Sequence, residues 1–161
     1  MDTSKTINVV IGGLGGQGVL KSSDILADAA LRAGYDVKKS ELHGMSQRGG
    51  SVSSDVRFGE RVLSPMVPTG EADFLVILAA DQVEPNRHVL REGGTLILPD
   101  RVDASKLLNR KSLNVALLGI LSRSLPIEEK FWLEAIRANL AEKLHAANLQ
   151  AFALGRALAA H

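Results

Sequence analysis

The 161-residue chain contains no cysteine. Thiolates are the usual protein ligands of iron–sulfur clusters and are common in structural zinc sites, and a disulfide needs two thiols. The sequence therefore excludes disulfides, a thiol nucleophile, a cysteine-ligated zinc ion and an iron–sulfur cluster held by cysteines of this chain. If the protein serves a redox reaction, we expect its electron carriers to lie in another chain.

Aromatic residues, net charge and long apolar runs are also scarce. Aromatics make up 4% of the chain, which leaves little material for stacking nucleic-acid bases. The 19 basic residues nearly balance the 18 acidic ones, so no nucleic-acid partner is indicated. The longest apolar run, Phe74 to Ala80, is too short to span a bilayer. With a polar N-terminus that does not resemble a signal peptide, these features predict a cytoplasmic protein without a membrane partner.

The N-terminal third predicts an α/β fold. Hydrophobic residues make up 45% of the chain, and the length suits one domain over residues 1–161. Ile7 to Ile11 is rich in β-branched residues, as in a strand buried on both faces of a parallel sheet. A helical pattern from Val19 to Ala33 ends at Gly34, and a second strand follows at Asp36 to Ser40. This order predicts a βαβ opening.

The next segment predicts an antiparallel insertion. Apolar residues alternate with polar ones from Val52 to Phe58, which indicates a strand with one solvent-exposed face. Gly59-Glu60 then predicts a turn into Arg61-Val62-Leu63, which would make a β-hairpin. The predicted fold is thus a Rossmann-like, mostly parallel sheet flanked by helices, with an inserted β-hairpin.

The second half begins with Phe74 to Ala80, which predicts another buried strand. Asp81 to Glu84 resembles a capping box that opens a helix, and Gly93-Gly94 would end that helix before a strand at Thr95 to Leu98. The C-terminal region predicts helices at about 114–124, 128–140 and 141–159.

The first glycine-rich loop has two interpretations. Gly13 to Gly18 fits G-x-G-x-x-G between a strand and a helix, the setting of a dinucleotide-binding turn. Glu41 lies 23 residues beyond Gly18, near the position of a ribose-binding acid. Alternatively, the glycines allow tight strand-to-helix packing and a close approach by a partner's backbone. A free-standing NAD(P)- or nucleotide-binding protein therefore stands as the alternative function.

The second glycine-rich loop, His43 to Gly50, is the most specific string in the chain. Its imidazole, amide and guanidinium groups among glycines suit an exposed functional loop, or a structural corner in which the polar groups bond loop carbonyls. No residue is predicted to be catalytic or to bind a metal. The candidate interface or ligand residues of both loops are Gly13, Gly15, Gly16, Gln17, Gly18, Glu41, His43, Gly44, Met45, Gln47, Arg48, Gly49 and Gly50.

The two loops together resemble a known family. Gly15 to Gly18, followed by Glu41-x-His43-Gly44-Met45-x-Gln47-Arg48-Gly49-Gly50, resembles the gamma domain of pyruvate/ketoisovalerate:ferredoxin oxidoreductases. The short, separate chain is most similar to the small beta subunit of indolepyruvate:ferredoxin oxidoreductase. Asn114 to Gly119 and Asn148 to Gly155 also resemble segments of this family.

The resemblance implies a subunit of a complex that oxidatively decarboxylates a 2-oxoacid such as indolepyruvate to an acyl-CoA, in anaerobic metabolism. Thiamine diphosphate, Mg²⁺, [4Fe–4S] clusters and coenzyme A are implied for the assembled complex, with none held by this chain. The implied partners are a large thiamine-diphosphate and iron–sulfur subunit and, through the complex, ferredoxin. We expect the isolated chain to be inactive and able to form a homodimer. Arg48 would contact the partner or hold a phosphate or carboxylate.

Overall fold

The computed structural model describes residues 5–43 and 50–159, which form a five-stranded sheet flanked by helices. The strand order is β2-β3-β1-β4-β5. β1, β4 and β5 are parallel neighbours, whereas β3 runs antiparallel to both β1 and β2, so the sheet is mixed. The strands are β1 (Ile7–Leu14), β2 (Asp36–His43), β3 (Ser51–Gly59), β4 (Ala72–Ile77) and β5 (Leu90–Ile97).

The helices confirm the predicted α1 and the helical C-terminal region. The buried side chains of α1 recur every three or four residues, which gives one apolar face toward the sheet. The backbone then turns at Gly34, whose φ of +97° matches the predicted C-cap glycine. The helices are α1 (Val19–Arg32), α2 (Val83–Asn86), α3 (Leu113–Ser122), α4 (Glu129–Asn139) and α5 (His145–Ala159). No helix in residues 5–43 or 50–159 is long and apolar enough to cross a membrane.

Two apolar cores lie on opposite faces of the sheet. Val9 and Ile11 of β1 join the larger core with α1, α3, α4 and α5. Val10 points the other way and joins Leu75 and Ile77 in a smaller core that Val83 of α2 helps to cover. β1 is thus buried on both faces, as predicted. Burying a side chain of this type stabilises a fold by roughly 1.5–3 kcal/mol.

The predicted βαβ opening is wrong, because its two strands are not neighbours in the sheet. β2 points in the same direction as β1, but β3 lies between them and pairs along its length with both. The chain returns from β2 to β3 through residues 44–50, and so short a connection can join only antiparallel strands. The short connection therefore joins β2 to β3, and β3 is antiparallel to β1 as well.

The predicted hairpin between β3 and Arg61-Val62-Leu63 is also wrong. β3 ends at Gly59, and residues 60–71 contain no strand. Val62 is buried, and its backbone N–H donates to Asp36 Oδ2 at 2.8 Å. The apolar residue therefore anchors a loop against the sheet rather than extending a strand.

The helix predicted after Asp81 is much shorter than expected. α2 covers only Val83–Asn86, and no side chain caps its N-terminus. Gly93 and Gly94 lie inside β5, where the register with β4 shifts between Ala72 and Phe74. A Cβ atom on Gly94 would lie 3.1 Å from Ala72 O. These glycines therefore mark a strand irregularity rather than the end of a helix.

Candidate functional site at the glycine turn

The glycine turn lies at the carboxyl end of β1, beside the carboxyl end of β4. After β1 the chain enters α1 on one face of the sheet, and after β4 it enters α2 on the other face. The crevice between two such strands is where open α/β sheets usually bind ligands. The turn therefore occupies the position that the topology favours for a site.

The turn backbone requires glycine at two positions. Gly16 and Gly18 have φ values of +92° and +82°, in the left-handed region that other residues rarely adopt. A Cβ atom on Gly16 would have no described atom within 4 Å, so this part of the turn is open. Gly13, in contrast, is buried, and its Cβ would lie 3.0 Å from both Leu78 Cβ and Val19 Cγ2. Gly13 thus permits tight packing, whereas Gly16 offers accessible backbone.

The side chain of Gln17 is already committed to the backbone. The Leu14 N–H donates to Gln17 Oε1 at 2.7 Å, and Gln17 Nε2 donates to Leu78 O at 3.3 Å. Leu14 ends β1 and Leu78 immediately follows β4. The carboxamide therefore crosslinks the carboxyl ends of two strands. Its Oε1 and one N–H of Nε2 are used within the chain, and the residue also lines a cleft beside the turn.

Asn114 is a residue of this site that the sequence did not single out. It lies in the first turn of α3 and is only 7% exposed, and its Nδ2 donates to Gly18 O at 3.1 Å. A Cβ atom on Gly18 would lie 2.5 Å from this Nδ2. The sequence offered two signals: Asn114 opens a segment that resembles the family, and it is an amide in a mostly apolar helix, where a buried amide needs a hydrogen-bond partner.

Two clefts flank the turn and share Gly16 and Gly18. The first has a volume of about 320 Å³ and the second about 470 Å³. The first is lined by Gly16, Gln17, Gly18, Leu78, Arg110, Lys111 and Leu113. The second is lined by Leu14, Gly15, Gly16, Gly18, Val19, Leu20, Lys21 and Val52.

The clefts are basic. Lys21, Arg110 and Lys111 line them, and none of the described lining residues is acidic. These three side chains form no ion pair within residues 5–43 and 50–159. The first turn of α1 also has no acidic residue and no side-chain cap, so its partial positive charge is not neutralised locally. The arrangement favours anionic groups.

Glu41 does not stand where a ribose-binding acid would be needed. It lies on β2, and β3 separates it from β1, which corresponds to two strand spacings or roughly 10 Å. Its carboxylate pairs with Lys39 Nζ, which also contacts Asp24 at 2.6 Å. Burial alone would lower the pKa of Lys39, but hydrogen bonds and charge from the two carboxylates outweigh it and raise that pKa. The free-standing dinucleotide interpretation is therefore not favoured.

The second glycine-rich loop ends beside the first. The Gly15 N–H donates to Gly50 O at 2.8 Å, and Leu14 is paired with Ser51. Leu42, near the end of β2, is 70% exposed at this same end of the sheet. The predicted site residues Gly44, Met45, Gln47, Arg48 and Gly49, and the side chain of His43, lie outside the described residues.

The described residues contain no candidate metal centre. No group of three or more His, Asp or Glu side chains within residues 5–43 and 50–159 could hold an ion. The described site is thus a glycine turn with basic clefts on both sides.

Comparison with known proteins identifies one family. A family model described as pyruvate ferredoxin/flavodoxin oxidoreductase matches residues 8–158. The indolepyruvate oxidoreductase subunit IorB of Thermococcus kodakarensis is 39% identical over 193 aligned positions, which cover 94% of this chain and 95% of that protein. Because the alignment is longer than the 161-residue chain, that protein carries internal residues without a counterpart here.

Two solved structures share the fold. The gamma subunit of a keto/oxoacid ferredoxin oxidoreductase from Geobacter sulfurreducens has a TM-score of 0.78 at 20% identity, covering 97% of each chain. A 2-oxoglutarate:ferredoxin oxidoreductase from Magnetococcus marinus, with 2-oxoglutarate, coenzyme A and succinyl-CoA bound, has a TM-score of 0.85 at 24% identity. That match covers 97% of this chain but only 31% of the longer one. The same fold therefore occurs both as a separate chain and as part of a larger one.

Proposed function

We propose that the complex to which this chain belongs acts on indolepyruvate. The chain is a member of the pyruvate ferredoxin/flavodoxin oxidoreductase family and a small subunit of a 2-oxoacid:ferredoxin oxidoreductase. The support is the 39% identity to an indolepyruvate oxidoreductase subunit over 95% of that subunit. In the reaction the 2-oxoacid loses its carboxylate as CO₂, and the acyl group forms a thioester with coenzyme A. The two electrons released pass to ferredoxin, and the proton of the coenzyme A thiol is released to solvent.

We propose that residues 1–161 act as one gamma-type domain that docks on the large subunit through the glycine turn. The observation that carries this proposal is the open backbone at Gly16, which has no described neighbour within 4 Å of a Cβ position. A backbone without side chains lets a partner approach closely and bond main-chain groups. The exposed Leu42 at the same end adds apolar surface. The candidate residues of the second loop would contribute directional contacts from His43, Gln47 and Arg48.

The electron-transfer and decarboxylation cofactors are assigned to the partner in this proposal. The chain has no cysteine thiolates for [4Fe–4S] clusters. The described residues offer no group of acidic side chains for the Mg²⁺ of thiamine diphosphate. We therefore propose that the large subunit holds these groups and that ferredoxin receives electrons there.

For coenzyme A we depart from the expectation that this chain holds none of the cofactors, because basic side chains line the clefts beside the glycine turn. We propose that Arg110, Lys111 and Lys21, together with the amides at the start of α1, form part of the coenzyme A site in the assembled complex. Guanidinium and ammonium groups near a helix N-terminus suit phosphate oxygens. The Magnetococcus marinus enzyme, of whose chain 31% matches this one, has coenzyme A bound, which supports a coenzyme A site in the complex. When bound, coenzyme A supplies the thiol that accepts the acyl group.

The test is co-expression of the chain, with an affinity tag, and a candidate large subunit. We expect a brown complex that reduces a low-potential dye with indolepyruvate, requires thiamine diphosphate and coenzyme A, and loses activity without either chain. Comparing kcat/KM for indolepyruvate, 2-ketoisovalerate and pyruvate then tests the substrate. A higher value for 2-ketoisovalerate would overturn the indolepyruvate assignment. Purification of the chain alone, with saturable NAD(P) binding, would overturn the subunit proposal in favour of a dinucleotide-binding protein.

A further inference from the structure

The hydrogen bond between Asn114 and Gly18 joins parts of the chain 96 residues apart. Asn114 is nearly fully buried in α3, where an apolar residue or alanine would be a better helix former. A buried amide without a partner would destabilise the fold, and here the partner is the carbonyl of the turn. Gly18 O also accepts from Ser22 N–H at 2.9 Å, so this carbonyl remains bonded without Asn114. The main effect of the Asn114 hydrogen bond is therefore to hold α3 and the glycine turn in a fixed relative position, because Gly18 O already has another donor.

The segment just before Asn114 carries the basic residues of the first cleft. Arg110 and Lys111 belong to a short 3₁₀ turn that leads directly into α3. Asn109 holds this turn together, because its side chain accepts from Lys111 N–H at 2.9 Å and its carbonyl accepts from Ser112 Oγ. The basic side chains therefore move with the first turn of α3.

Asn114 thus connects the two walls of the cleft, the glycine turn and the basic segment. We propose that Asn114 is a positioning residue that sets the separation of Gly18 from Arg110 and Lys111 and so tunes the affinity of the complex for coenzyme A. This inference rests on the proposed function, which assigns the basic cleft to coenzyme A. Asn114 itself is buried and is not among the residues that line the clefts. Its action is transmitted through the carbonyl of Gly18 and the start of α3.

The test uses the co-purified complex and the variant Asn114→Leu, which keeps the branched shape of the side chain and removes the donor. We expect the KM for coenzyme A to rise about five-fold, the effect of one net hydrogen bond, with the KM for the 2-oxoacid unchanged. The matched control is Asn148→Leu. Asn148 is also buried, but its amide donates to the nearby Leu144 O at 2.8 Å and not to the turn. We expect the control to leave both KM values unchanged.

A second variant, Asn114→Ser, covers the case in which the leucine variant does not fold. Its smaller side chain cannot reach Gly18 O, so the same selective rise in the coenzyme A KM is expected. Equal changes in both KM values, or the same change in the Asn148 control, would show that Asn114 serves stability alone.

The double variant Arg110→Ala/Lys111→Ala separates the two proposals. If the double variant leaves the coenzyme A KM unchanged, the coenzyme A assignment itself fails. If it raises that KM and the Asn114 variants do not, only the positioning role fails.

Discussion

Gly119 and Gly155 face each other where α5 crosses α3, and the two helix backbones touch there. A Cβ atom on Gly155 would overlap Ala116 O, and one on Gly119 would overlap Phe152 O. The neighbouring atoms are backbone and cannot rotate away. The close crossing therefore depends on both glycines, and it holds the C-terminal helix against the helix that carries Asn114.

Gly155→Ala should lower the free energy of unfolding by about 3 kcal/mol, at the upper end of the usual cost of overpacking a core, because the helices must separate. Urea denaturation followed by circular dichroism measures this change. The control Ala153→Ser lies on an exposed position of the same helix and should change stability by less than about 0.5 kcal/mol. Equal stability of the two variants would contradict the close helix contact.

Gln17→Ala should destabilise the chain because it removes the crosslink between β1 and β4. The Leu14 N–H and the Leu78 carbonyl lose a partner, which should cost about 1–3 kcal/mol. Gln150 provides a matched control, since its carboxamide also bridges a backbone N–H and a carbonyl, those of Leu108 and Lys106, but these hydrogen bonds are exposed to solvent. Gln150→Ala should have little effect in the same denaturation experiment. Comparable losses would argue against a special role for Gln17.

Asp36 and Asp55 anchor the same loop but should give opposite pH dependences. Asp36 accepts from Val62 N–H at 2.8 Å, and that hydrogen bond, with smaller help from Lys38, lowers the pKa of Asp36. A lowered folded-state pKa contributes stability above the unfolded pKa, which is lost as the pH falls through the folded value. Asp36→Asn should therefore be less stable than the parent chain at pH 7, with the difference shrinking below about pH 4.

Asp55 accepts from Val67 N–H at 2.9 Å, but burial outweighs that bond and raises the pKa of Asp55. A raised pKa means that ionisation opposes folding, so the penalty appears as the pH rises through the unfolded and then the folded value. Asp55→Asn keeps an acceptor for Val67 and removes the charge. It should be more stable than the parent chain at pH 7 and similar to it near pH 3. Urea midpoints measured from pH 3 to 7 for both variants check the two signs, and a shared sign would contradict this difference in environment.

Gly16→Gln should weaken assembly with the large subunit more than the matched variant Gly70→Gln. Both glycines have positive φ and open space around a Cβ position, so both variants should lose about 1–2 kcal/mol of stability. Gly70 precedes β4, at the end of the sheet opposite to the glycine turn. Pull-down of the large subunit through a tag on this chain measures assembly. Equal capture by the two variants would place the docking surface elsewhere.

Local patterns predicted much of the fold. The β-branched residues of β1, the spacing of buried residues in α1 and the helical patterns from Asn114 onward each depend on neighbours close in sequence. The same holds for Gly34 as a helix terminator, because its left-handed backbone is a local requirement. The prediction that Gly93-Gly94 ends a helix was wrong because it also relied on local sequence alone. Glycines permit a helix end or a strand irregularity equally, and only pairing with β4 distinguishes the two.

The glycine motif of the candidate site was recognisable, but the partners of its residues were not. Gln17 was a candidate for outside contacts, yet its amide crosslinks two strand ends. Asn114 belongs to the site only because α3 packs beside the turn, although the two are 96 residues apart in sequence. Such contacts depend on the packing of distant segments, which neither spacing nor composition specifies.

The sequence by itself determined the α/β class, the glycine turn between β1 and α1, the lack of cysteine ligands and the family, because these depend on residue identity and short-range periodicity. The tertiary structure decided that β3 enters between β1 and β2, that Glu41 lies away from the turn, and that Asn114, Arg110 and Lys111 gather around it. The order of the strands and the packing of α3 beside the turn depend on which apolar surfaces, distant in sequence, pack against one another. The free energy gained from burying these surfaces arises only when the whole chain folds.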